Sequence, residues 1–198
     1  MRPGLKLPLG RFLAVPASEG SLARITACVR LSLDYFRRTE QERSPDRLAL
    51  NRLGDVLADP TRRLYLLEDG GEDPAGLLDL ALDTPEPGAV TLALLVLART
   101  RRGRGEGREI AEAAFDLLAR AGYRRLHLGV APGEDQAARF WVAVGLWERG
   151  EEDGVRLFER PLGADPQDEA SPPDARCAME WPPCARRSRS SSRPRSPS

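Results

Sequence analysis

The chain has 198 residues, and its 30 basic and 30 acidic side chains cancel, so no global field favours nucleic acid or a membrane surface. Its three cysteines make no disulfide framework, and the N-terminus lacks the long apolar segment of a secretory signal. The longest apolar run, Leu92 to Ala98, falls far short of the ~20 residues that span a bilayer, so a soluble, cytoplasmic protein is expected.

In chain order, Met1 to Gly10 reads as a loose leader and Arg11 to Val15 as a short strand. Ser21 is a suitable N-cap, and Leu22, Ile25, Val29, Leu33 and Phe36 recur behind it at helical spacing. Ser44-Pro45-Asp46 opens a second helix with a cap, a proline at the first position and an acid in the first turn; it ends near Asp59-Pro60. Leu64 to Glu68 and Gly76 to Leu82 read as strands, separated by the Asp69-Gly70-Gly71 turn. After the Thr84 to Gly88 turn, Ala89 to Ala98 pairs back as the central strand. An arginine- and glycine-rich turn, Arg99 to Gly107, follows, and then a helix with Ile110, Ala114, Leu117, Leu118 and Ala121 on one face. Gly122 ends that helix, and Arg124 to Val130 returns as a strand parallel to the central one. A helix from Pro132-Gly133-Glu134 to Val144 and a hairpin, Trp147 to Arg149 with Val155 to Arg160, complete a mixed α/β domain over residues 1–163. From Ala164 the chain is rich in Pro, Ser and Arg. With so little apolar surface, residues 164–198 are expected to form a disordered tail.

The chemistry points to the turn. An apolar strand that feeds glycines and then a helix N-terminus aims backbone N–H groups and the positive end of a helix dipole at one spot. Gly103, Gly105 and Gly107 let the backbone approach an anion closely. No Gly-Lys-Ser/Thr follows, so the turn is not a Walker loop. The next strand ends without a ribose-binding acid, which disfavours a dinucleotide site.

The turn Arg102-Gly103-Arg104-Gly105-Glu106-Gly107 resembles the R-x-x-G-x-G signature of the GNAT superfamily of acyl-CoA-dependent N-acyltransferases. A second stretch, Glu134 to Leu146, is similar to the N-x-x-A-x-x-F-Y-x-x-x-G-F of that family and lies at the family's spacing. Asp34-Tyr35-Phe36 resembles a D-Y-F segment of a bacterial subgroup. The resemblance implies a mostly antiparallel sheet with flanking helices and a splayed central strand pair. It also implies acetyl-CoA as co-substrate and an amine acceptor as partner, and it allows a homodimer. It implies that the pantetheine amides meet the backbone of Leu95, Val96 and Leu97, that the Leu97 N–H meets the developing oxyanion, and that the pyrophosphate meets Arg102, Gly103, Arg104, Gly105, Glu106 and Gly107. Glu134 and Trp141 are expected near the thiol, where the family carries Asn and Tyr. Indole cannot donate the proton that a phenol gives to a leaving thiolate.

No acid sits on the central strand. Asp79 interrupts Leu77-Leu78-Asp79-Leu80, and an acid among leucines needs a partner or a task, so Asp79 is the candidate base, with Asp83 and Glu134 behind it. His127 and Cys28 read as packed side chains. The leading expectation is an N-acetyltransferase for a primary amine of a small molecule or protein. Its rivals are a catalytically degenerate acyl-CoA-binding sensor and nucleic-acid contact through the tail arginines. No metal site is expected.

Overall fold

The computed structural model describes residues 5–163; the expected tail, residues 164–198, lies outside them. The N-terminal part contains β1 (Leu7–Leu9), β2 (Phe12–Pro16), α1 (Leu22–Leu31), α2 (Leu33–Thr39) and α3 (Pro45–Ala58). The middle contains β3 (Arg62–Glu68), β4 (Gly76–Leu82), β5 (Ala89–Leu97) and α4 (Glu106–Arg120). The chain then runs through β6 (Arg125–Val130), α5 (Asp135–Ala143), β7 (Trp147–Glu152) and β8 (Val155–Pro161). The strands form one sheet in the order β1-β2-β3-β4-β5-β6-β8-β7. Only β5 and β6 are parallel neighbours, because α4 carries the chain across between them.

The two sheet faces follow from alternation. Leu64 and Leu66 of β3 point to one core with Ile25, Val29, Phe36, Leu48 and Leu53 of the N-terminal helices. Tyr65 and Leu67 point to the other, with Ile110, Phe115, Leu118, Ala138 and Trp141 of α4 and α5. β4 is buried along its whole length for the same reason. Among the described residues, no helix is long and apolar enough to cross a membrane.

Two N-terminal expectations need correction. Part of the supposed leader is β1, which pairs with β2 through a turn at Gly10 (φ 63°) and buries Leu7 and Leu9 around the edge-strand Pro8. The single first helix is two helices, broken at Ser32. The buried Ser32 hydroxyl donates to the Leu97 carbonyl (3.2 Å), a bond outside its own helix.

β5 carries the feature that shapes the site. It pairs with β4 from Gly76↔Leu97 to Asp79↔Leu94, then resumes at Leu80↔Leu92. Ala93 is therefore the extra residue of a β-bulge, which bends its strand and increases the local twist. Pairing with β6 covers only Ala89↔Arg125, Val90↔Leu126 and Thr91↔His127. Just before the bulge the two strands part, while β6 stays paired with β8 through Val130.

The β4–β5 contact tolerates nothing larger than glycine at its end. A Cβ on Gly76 would lie 2.3 Å from the Val96 carbonyl oxygen, a backbone atom that cannot swing aside. We expect Gly76→Ala to cost about 1–3 kcal/mol, the usual penalty of overpacking, read as a lowered urea midpoint.

Candidate active site

The parted strands leave a cleft walled by Leu92 to Leu95 on one side and Leu128 to Ala131 on the other. Ala93 is exposed here although it lies in the middle of a central strand. Backbone direction decides what the β5 wall offers. The Ala98 N–H donates to the Ala75 carbonyl (2.8 Å). Antiparallel alternation therefore turns Val96 toward β4 and turns the backbone groups of Leu95 and Leu97 toward the cleft. Two donors already occupy the Leu97 carbonyl, the Ser32 hydroxyl and the Arg102 Nε (2.9 Å). Of the expected Leu95 to Leu97 segment, the wall thus offers both groups of Leu95 and the N–H of Leu97, but not Val96.

The arginine–glycine turn sits at the end of this wall. Gly103 (φ 75°) and Gly105 (φ 81°) take left-handed conformations that suit residues without a Cβ. Gly105 is the N-cap of α4 and has no side chain with which to cap. The first helical amides, from Glu106 and Gly107 onward, therefore keep their donors for an external acceptor. Glu106 places a carboxylate at this positive end, yet it is buried and held by Arg11 (2.5 Å) and Arg101 (3.4 Å). Its charge is neutralised within the fold. Arg104 stands exposed on the turn.

A chain of charges bridges the mouth of the cleft. Arg102, beyond β5, pairs with Asp34 (2.6 Å). Arg38, one turn further along α2, pairs with Asp34 (3.7 Å) and with Glu134 beyond β6 (2.6 Å). α2 thus ties the two lips together. Partial burial favours the protonated form of Asp34, but the hydrogen bond and charge of Arg102 outweigh it and hold the carboxyl below the ordinary range.

This architecture has a close match. A model of the acetyltransferase (GNAT) family matches residues 25–146. The chain belongs to that family. GNAT proteins use acetyl-CoA as co-substrate, and the donors along β5 and at the start of α4 suit its amides and diphosphate. Among solved structures, an acetyltransferase from Thermus thermophilus is 27% identical with a TM-score of 0.70, over 80% of this chain and 100% of that one. The PaiA N-acetyltransferase of Thermoplasma acidophilum, solved with coenzyme A, is 12% identical with a TM-score of 0.60, over 76% and 98%. The ribosomal-protein-S5-alanine acetyltransferase of Vibrio fischeri is 13% identical with a TM-score of 0.63, over 85% and 100%. No curated protein matches the chain.

Within this GNAT cleft, Glu134 and Trp141 line the wall. Both Glu134 oxygens accept from Arg38, at 2.6 and 3.3 Å. Arg102 is bonded to the Leu97 carbonyl and to Asp34. Asp79 is not brought to the cleft. It is fully buried on the α1–α3 side, between Leu64 and Leu94, where Arg62 holds both of its oxygens. Burial raises its carboxyl above the usual range while Arg62 and Arg52 pull against that rise, and a group clamped by a guanidinium is poorly placed to take a proton from an amine. Asp83 is also elsewhere, with its carboxylate on the Gly88 N–H (3.0 Å) in the β4–β5 turn. His127 is buried at the last paired position below the cleft, and burial lowers its pKa and keeps it neutral. Cys28 is buried and pushed up to about 12, so it stays an inert thiol. Sequence reasoning missed Ser32 and the bridging roles of Asp34 and Arg38. The i,i+4 spacing of Asp34 and Arg38 is the only local signal of that bridge.

Two outcomes follow. Asp79→Ala leaves Arg62 without its counter-charge and should cost about 3 kcal/mol in urea unfolding, with acetyl-CoA affinity of the folded protein unchanged within about twofold. Because the Asp34 pKa is depressed on folding, its stabilising contribution is complete above the ordinary aspartate value and is lost as pH falls through the lower folded value. Hydrogen exchange of residues 33–39, corrected for its intrinsic pH dependence, should therefore be constant from about pH 7 to 5 and accelerate only below about pH 4.

Proposed function

We propose that this GNAT protein is a cytoplasmic N-acetyltransferase that moves an acetyl group from acetyl-CoA to a primary amine of a small molecule or a protein. The observation that carries the reading is the opening of β5 from β6 directly beneath the glycine turn and the uncapped start of α4. The backbone of Leu95 takes the pantetheine amides, and the amides from Gly103 to Gly107 take the diphosphate. Arg104 adds a charge-assisted contact. The Leu97 N–H, which lies between Leu95 and the turn, adds a donor for the pantetheine arm. Solved neighbours include one named for a ribosomal-protein alanine, so protein amines stand beside small ones as acceptors.

The acceptor must attack as a neutral amine. Glu134 is the carboxylate among the described residues lining the cleft, and Arg38 occupies it. Proton removal therefore falls to water, and Asp79 supports the sheet through Arg62. On this mechanism kcat/KM rises with pH up to the acceptor's own pKa, about 10.4 for an alkylamine and about 8 for a protein N-terminus. The test is release of free CoA thiol from acetyl-CoA across a panel of both amine types. Turnover with a break that moves with the amine supports the proposal. Tight acetyl-CoA binding by calorimetry with no release on any amine supports the second reading, a CoA-binding sensor, which Trp141 in place of the family tyrosine favours.

A further inference from the structure

A tyrosine lines the cleft although the second motif lacks one. Trp141 occupies the position of the family tyrosine and lines the cleft, but indole has no proton to give a thiolate. Tyr35 of α2 lines the same cleft as Trp141, with Leu92 to Leu95 and Glu134. Among the described residues there, Tyr35 is the sole hydroxyl. The ionic ties on both sides of it, Asp34 to Arg102 and Arg38 to Glu134, fix α2 over the cleft. Its ring packs edge-on to Phe36 at 5.3 Å between centroids, and Phe36 is fully buried. The phenol is held rather than mobile.

We propose that Tyr35 is the catalytic acid of the transfer, giving its phenolic proton to the sulfur of CoA as the thioester breaks. The inference rests on the acetyltransferase reading above. Attack by the neutral amine forms the C–N bond and leaves nitrogen positively charged, with one proton to lose. Collapse of the tetrahedral adduct breaks the C–S bond, and the electron pair goes to sulfur. Sulfur takes the Tyr35 proton, and the phenolate recovers one from the nitrogen through water. The net change is one proton moved from nitrogen to sulfur, with no other reactant. Burial holds the phenol above its ordinary pKa against Arg52 and a hydrogen bond with the Thr39 side chain, and Glu40 and Glu134 push the same way as burial, so Tyr35 is protonated at neutral pH.

The experiment compares the full chain with Tyr35→Phe, which keeps the ring and its packing on Phe36. Two readouts are taken. The first is the titration of bound CoA thiol by thiolate absorbance, which needs no acceptor. A Tyr35 hydrogen bond to sulfur should make the bound thiol ionise about half a pH unit or more lower than in Tyr35→Phe. The second is turnover, where kcat should fall about a hundredfold or more, the lower end for a lost general acid, with KM for acetyl-CoA within about twofold. Equal thiol titrations overturn the proposal whatever the turnover, and so does an unchanged kcat or a loss confined to KM. If the wild-type chain acetylates no amine, the acetyltransferase reading fails, and the thiol titration still decides whether Tyr35 meets the sulfur.

Discussion

A strand that stops pairing with its neighbour governs this structure. Backbone donors and acceptors inside a sheet are normally consumed by the next strand, and leaving them unpaired in a dry core is costly. β5 escapes that cost because the bulge at Ala93 bends it away from β6 just past Thr91, and its outer edge opens into a cleft rather than into packed side chains. The same edge then becomes a row of fixed hydrogen-bonding groups. Side chains along it need only be apolar, and the run Leu94-Leu95-Val96-Leu97 meets that need without any polar signature.

Charge is managed around this opening by pairing. Glu106 would oppose an incoming diphosphate, but Arg11 and Arg101 neutralise it. Asp79 would be intolerable in the sheet without Arg62. Asp34, Arg38 and Glu134 link α2 to both lips. Exposed pairs of this kind contribute little stability individually. Their value here is geometric, since they hold α2, and Tyr35 on it, against the cleft. The N-terminal helices are therefore part of the site and not merely a cover for the sheet.

Much of this was legible in the sequence because local rules and the global fold agree. Alternation and turn chemistry place β4 within its observed bounds and β5 within one residue, and the glycines of the turn mark α4. Two motifs at the right separation carry the family. What was not legible depends on distance through space. Nothing near Asp79 in the sequence says that Arg62 will reach it from the neighbouring strand, so an acid among leucines read as a base rather than as half of an ion pair. The helical period runs smoothly from Leu22 to Phe36, and only the Leu97 carbonyl explains why Ser32 interrupts it. Pro8 disguised β1, since proline signals a strand only at an edge.

The central claim is that the open edge of β5 and the start of α4 grip CoA through their backbones. Amide hydrogen exchange with and without CoA measures this most directly. The account predicts slowed exchange at Leu95, Leu97 and residues 103–107 on binding, with Val96, β3 and β8 unchanged. Binding that leaves those amides exchanging as before, or protects only the far side of the sheet, would contradict it.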